Sequence, residues 1–177
     1  MNFDKEYYRL TNDIIMNDNF IVLKKDIHHG SNKFDHCKRV SYLSYVLAKV
    51  FKADCKKTTR AGLLHDFFYG SRTDREENNY LKHPKTSVNN AKLHFNISEQ
   101  EAEIIESHMF HHALVKRMLP FTKEEEKRYF KEKKPKNKEA VIVCLADLLV
   151  SIFEVCVYKV RYTTCLYALF LLNIMRY

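Results

Sequence analysis

Apolar residues recur three and four positions apart along most of the chain, the period of helices with one buried face. Residues 4–16 and 18–28 read as short helices, with Tyr7, Tyr8, Leu10, Ile14 and Ile15 supplying the apolar stripe. A break is expected at His28-His29-Gly30-Ser31-Asn32. From Phe34 to Phe51 the positions Val40, Leu43, Val46, Leu47 and Val50 keep the helical period. Asp54 is placed to cap the next helix, which the pattern carries to about Phe68 with Ala61, Leu64 and Phe68 on one side. Residues 70–82 read as a polar loop. A helix begins near Pro84, where a first-turn proline costs nothing, and runs to about His94. Ser98-Glu99-Gln100-Glu101 is a capping-box pattern that opens a helix towards His108. Thr122-Lys123-Glu124-Glu125 is a second one, opening a short charged helix that reads as an insertion. The last long helix is expected from about Lys138 to Lys159. No strand pattern competes with these elements, so the predicted fold is all-α.

Composition agrees with that reading. Three glycines and three prolines in 177 residues leave little punctuation, which favours long helices and short loops. The length suits one domain over residues 1–177, and no Gly/Ser linker or internal repeat divides it. Hydrophobic residues at 46% against 29% charged are the balance of a globular chain, not a disordered one. Cys37, Cys55, Cys144, Cys156 and Cys165 form no C-x-x-C pair, so reduced thiols are expected. With no apolar signal segment at Met1–Glu6, the expected location is cytoplasmic.

Two apolar stretches bear on membranes. Residues 140–158 are long enough to span, but Asp147 and Glu154 would then lie inside the bilayer. They read as a core helix, and residues 163–175 as core or as a dimer contact, with a homodimer the assembly this would support. The net charge of +8 reads mainly as a solvated basic surface that also draws anions such as phosphate esters. No nucleic-acid recognition motif accompanies it.

The candidate chemistry lies in His36, His65, Asp66, His83, His108 and Asp147. His65-Asp66 follows Ala61-Gly62-Leu63-Leu64, so an imidazole and a carboxylate emerge together from an apolar helix. Asp147 sits within Val141–Val150, an otherwise apolar run. A carboxylate in either place needs a compensating charge, for which a divalent cation serves well. A buried salt bridge from Asp147 to Arg39 or Arg60 is the structural alternative. His36 lies three residues before Arg39, so ligand and guanidinium share a helix face. Nitrogen and carboxylate ligands without thiolate suit Mn, Fe, Co, Ni or Zn.

His36-x-x-Arg39-Val40, then Ala61-Gly62-Leu63-Leu64-His65-Asp66, then a distant Asp147 resembles the H…HD…D signature of the HD superfamily of metal-dependent phosphohydrolases. The resemblance covers about residues 34–155, leaving N-terminal helices in 1–33 and an apolar segment at 160–177. It implies a helical bundle with its metal site between helices. His83 and His108 stand where two-metal HD proteins carry extra histidines, as in HD-class diadenosine tetraphosphate hydrolases and, more distantly, HD-GYP phosphodiesterases. By that resemblance His36, His65, Asp66 and Asp147 would hold one divalent transition metal. Asp66 would bridge to a second, completed by His83 and His108. No G-Y-P triplet follows the HD pair; the chain reads Phe67-Phe68-Tyr69-Gly70.

The implied activity is hydrolysis of phosphate esters or anhydrides, with a nucleotide or related small phosphorylated metabolite as substrate. His65, Asp66 and Arg39 are the expected catalytic residues, and Arg39, Lys82 and Lys85 the expected phosphate contacts. The ligand set also suits a di-iron oxygenase of the same superfamily, and a ligand-binding HD domain without activity is a third alternative. His111 and His112 read as exposed loop histidines one turn beyond His108, while His28 and His29 precede the first ligand.

Overall fold

Two helices meet at the centre of the structure, α3 (Lys33–Val50) and α4 (Cys55–Leu64), because Gly62 lets their backbones approach. A Cβ at Gly62 would stand 2.9 Å from Ser44 Oγ and 3.3 Å from the Cα of Ser41. The computed structural model describes residues 5–28, 31–69, 81–112 and 124–174. The turn joining the two helices is fixed chemically. Lys52 takes a left-handed φ of 51°, and the Ala53 N–H closes on Ala48 O at 2.8 Å, a Schellman-type ending. Asp54 then caps α4, its side chain accepting the Lys57 N–H at 3.0 Å.

Around this pair lie α1 (Lys5–Ile15), α2 (Asp18–Ile21), α5 (His83–His94), α6 (Glu99–Ser107), α7 (Glu124–Glu132) and α8 (Lys138–Ile174). The α6 capping box forms as expected: Ser98 Oγ accepts the Glu101 N–H at 3.2 Å and the Ser98 N–H reaches Glu101 Oε2 at 2.7 Å. The core draws Tyr7 and Ile14 from α1, Phe34 and Tyr45 from α3, Leu63 and Leu64 from α4, Ile104 and Ile105 from α6 and Val143 from α8. Arg60, nearly buried, joins α4 to α1 through Asp13 at 2.7 Å and to α6 through Glu101 at 3.4 Å. Helix α8 packs on α3, α4 and α6, and Glu139 anchors its start by accepting the Asp54 N–H at 3.0 Å. The fold is all-α, as expected.

Three boundaries differ from the expectation. The helix expected over 18–28 stops early: α2 gives way to a 3-10 turn at Val22–Lys25 and a two-residue antiparallel pair, Ile27–His28 with Ser31–Asn32. Lys33 causes this break, because its backbone N–H binds Asp26 O and its ammonium binds the Asp26 carboxylate, holding Asp26 extended. Helix α4 ends at Leu64 and not near Phe68. His65 Nδ1 binds Gly62 O at 2.8 Å, taking the carbonyl the next helical turn would use. Helix α8 runs to Ile174 without the expected end near Lys159, for no proline or glycine interrupts it. Of the segment expected as core or dimer contact, Thr163, Thr164 and Cys165 are exposed, so they are not core.

The loop expected at 70–82 lies outside the described residues up to position 80, as do His29 and the Thr122-Lys123 start of the charged helix. Among the described residues α8 is the one helix long and apolar enough to cross a membrane, over Lys138–Cys165. Its inner face packs in the bundle and carries the buried Asp147 and Glu154.

The α3–α4 contact leaves no room for a branched side chain at Gly62. Gly62→Val should lower the free energy of unfolding by about 2 kcal/mol or more, from overpacking against Ser41 and Ser44. Urea denaturation checks this, and an unchanged midpoint would contradict the close approach.

Candidate metal centre

The candidate ligands come from five helices or their ends. His36 stands in the first turn of α3, where the Asn32 cap sets the phase by accepting the Asp35 N–H at 2.8 Å. His65 and Asp66 lie just past the last residue of α4. His83 opens α5, and His108 follows α6. Asp147 projects from α8. All six residues are buried, none more than 7% exposed.

They converge. One ligand atom each from His36, His65 and Asp147 lie within 4.8 Å of one another, and the same holds for His65, Asp66 and His108. His36 Nε2 is 3.3 Å from Asp147 Oδ1, and His65 Nε2 is 3.7 Å from that same oxygen. Asp66 faces two ways. Its Oδ2 is 3.7 Å from His65 Nε2, while its Oδ1 is 3.4 Å from His83 Nε2 and 3.5 Å from His108 Nε2. His83 Nε2 and His108 Nε2 are 3.1 Å apart.

Local structure decides which nitrogen each ring presents. His65 donates its Nδ1–H to Gly62 O at 2.8 Å, and His108 donates its own to Ile105 O at 2.7 Å. Both sit at helix ends, where the carbonyl three residues back is available. Each ring therefore turns Nε2 inwards. His83 is braced by Phe68, stacked at 5.1 Å, and Phe68 by the Lys33 ammonium 3.5 Å above its ring.

Burial and charge pull the protons in opposite directions. For Asp66 burial would raise the carboxyl, but the imidazoles around it, His65 foremost, hold it well below its ordinary value. Asp147 behaves alike, burial again being outweighed, here by the His36 hydrogen bond first. Burial keeps His65 neutral despite the two carboxylates, and pushes His83 down to about 4. His36 goes the other way. Burial alone would lower it, yet hydrogen bonds to Asp147 and Glu154 lift it to about 10. The centre is thus two carboxylates neutralised by protons on imidazole.

A divalent cation fits this donor set. His65 Nε2 is buried without a hydrogen-bond partner. With its proton committed on Nδ1, it presents a lone pair to two carboxylate oxygens. Three electron-rich atoms in a dry space repel one another unless a positive charge lies among them. The salt bridge considered for Asp147 does not form with Arg60, which pairs with Asp13 and Glu101, and Arg39 binds Glu154 Oε1 at 2.7 Å.

The sequence model of the HD domain matches residues 34–151, from the second residue of α3 to the middle of α8. The chain belongs to the HD domain family. No curated protein matches it significantly, and no solved structure does. HD domains bind divalent metals and in general are metal-dependent hydrolases, which agrees with the clustered imidazole and carboxylate donors of this centre.

Beside the HD centre opens a cavity of about 340 Å³, lined by Asp66, His83, Asp147, Met109, His111, His112 and the α8 face of Leu148, Ser151, Ile152, Val155 and Cys156. His111 and His112, expected as exposed loop histidines, are helical and line this cavity, and His112 is exposed as expected. His111 is half-buried, with Nδ1 3.1 Å from His108 O and 3.4 Å from Cys144 Sγ. Lys82 and Lys85 are exposed, and neither they nor Arg39 are among the described lining residues. Reading the sequence missed Glu154, which binds both His36 and Arg39. Its signal was the same as that of Asp147, a carboxylate set in an apolar helix.

Two outcomes follow for the centre. His65→Ala and Asp66→Ala should each remove essentially all bound transition metal, read by elemental analysis; wild-type content in either would contradict the centre. In the metal-free protein His36 keeps a proton to about pH 10 that the unfolded chain loses above about 6.5. Below 6.5 this contribution to stability is complete, and it fades as pH rises towards 10. At the acid end the lowered Asp66, Asp147 and Glu154 carboxyls stabilise above their ordinary values and lose that effect as pH falls through the folded ones. Metal loading at pH 7 should release protons. Calorimetry in buffers of different ionisation enthalpy measures that release, and none at all would contradict the protonated centre.

Proposed function

We propose that the protein hydrolyses phosphate esters or anhydrides of a nucleotide or related small phosphorylated metabolite. The reading rests foremost on the unpartnered His65 Nε2 facing Asp66 and Asp147 beside a cavity of about 340 Å³. His36, His65, Asp66 and Asp147 would hold one cation. Asp66 would also help hold a second cation with His83 and His108, the two-metal arrangement that the resemblance to HD-class diadenosine tetraphosphate hydrolases implies. Bound divalent cations supply an acidified water and neutralise charge on phosphoryl oxygens.

The chain's own residues do the rest. Gly62 O and Ile105 O hold the His65 and His108 rings in the tautomer that keeps Nε2 inwards. The Leu148, Ile152 and Val155 side of the cavity offers apolar contact to the non-phosphate part of a substrate. His111, held neutral by burial, stands on the wall as a group able to take up a proton. Lys82 and Lys85 flank His83 in the chain and are exposed, so they add positive field on the approach of an anion.

An anaerobic phosphate-release screen over nucleotides and dinucleoside polyphosphates, with Mn²⁺, Fe²⁺ or Co²⁺, tests this. Phosphate release that vanishes in His65→Ala is the expected result. Turnover only with dioxygen would put the di-iron oxygenase in its place, and none under either condition would favour a ligand-binding domain. Replacing Lys82 and Lys85 together by alanine should raise KM a few-fold at low salt with kcat little changed; an unchanged KM would remove them from the substrate's approach.

A further inference from the structure

We propose that Glu154, clamped by Arg39, is the positioning residue of the metal centre, acting through His36. The proposal rests on the metal-binding reading of the site. Glu154 follows Asp147 by seven residues, two turns of α8, so both carboxylates lie on the face turned to α3. The His36 ring bridges them, with Nε2 3.3 Å from Asp147 Oδ1 and Nδ1 3.0 Å from Glu154 Oε2. The other Glu154 oxygen, Oε1, accepts from Arg39 Nη1 at 2.7 Å. Arg39 is one helical turn from His36, which closes the arrangement between α3 and α8.

His36 needs an acceptor that His65 and His108 do not. Those two rings follow helix ends and bind the carbonyl three residues back. His36 lies inside α3, whose carbonyls are engaged in the helix, so its Nδ1–H must find a partner elsewhere. Glu154 is that partner, and it is anionic. A carboxylate behind an imidazole fixes the tautomer and makes the opposite nitrogen a stronger ligand. Glu154 is 6% exposed, which a carboxylate tolerates only when it is paired on both oxygens, as here. The same geometry gives Arg39 a role without substrate contact: it holds Glu154, and Glu154 holds His36.

The test is metal affinity, measured by competition of a chelator for Co²⁺ and followed by the visible absorption of the bound ion. Glu154→Gln retains an oxygen for Nδ1–H and removes the charge. It should weaken Co²⁺ binding by about 10- to 100-fold, with far-UV helicity unchanged. In a His36→Ala background the same substitution should cost nothing further, because the residue through which it acts is gone. Arg39→Met should weaken binding in the same background-dependent way, and serves if Glu154→Gln does not fold. Wild-type affinity in Glu154→Gln, or an equal loss in both backgrounds, would overturn the proposal. His65→Ala in the same titration separates the two readings. If wild type and His65→Ala both fail to bind Co²⁺, the metal centre itself fails; if only His65→Ala fails, the Glu154→Gln result bears on the positioning role alone.

Discussion

Two buried carboxylates, Asp66 and Asp147, govern the architecture of this protein. Each is at most 6% exposed and each is held ionised. Such groups destabilise a helical bundle unless positive charge reaches them. In the metal-free chain it comes from protons on His36 and His108, the two imidazoles raised above their ordinary value. The arrangement of α3, α4, α5, α6 and α8 follows from the need to bring those rings to the two carboxylates. It also explains why a cation would be taken up readily: the cation replaces protons that are already localised there.

The bundle provides this at small cost because each ligand is set by ordinary helix chemistry. Gly62 brings α3 and α4 close enough for His36 and His65 to stand with ring centroids 5.3 Å apart. Helix termination positions His65 and His108, and the hydrogen bond that ends each helix is the one that orients each ring. Lys33, buried against Phe68, ties the segment after Asp66 to α3 and, through Phe68, braces His83. The contacts that end and join these helices are therefore also the ones that orient the site.

Much of this is legible in the sequence, for a physical reason. A charged side chain within an apolar run announces itself, and Asp66 and Asp147 do so; the histidines at 36, 65, 83 and 108 lie beside them in the fold. Glu154 carries the same signal two turns later, yet along the chain it reads only as an obstacle to membrane insertion, since its partner His36 is 118 residues away. The early end of α4 is hidden because His65 competes with the backbone through its side chain, which hydrophobic periodicity does not register. The break after Lys25 depends on Lys33 reaching back to Asp26. The uninterrupted α8 is legible in the absence of proline and glycine, but the polar residues near Lys159 suggest an end. Local rules locate the charges; tertiary partners decide what they do.

The central claim is that a cation belongs between α3, α4 and α8. The most direct measurement is an anomalous-difference map from crystals of the protein loaded with Mn²⁺ or Co²⁺. The expected result is a peak within bonding distance of His36, His65, Asp66 and Asp147, with a second, where two ions bind, on the Oδ1 side of Asp66 next to His83 and His108. A map without density there, or with its only peaks at exposed surface groups, would contradict it.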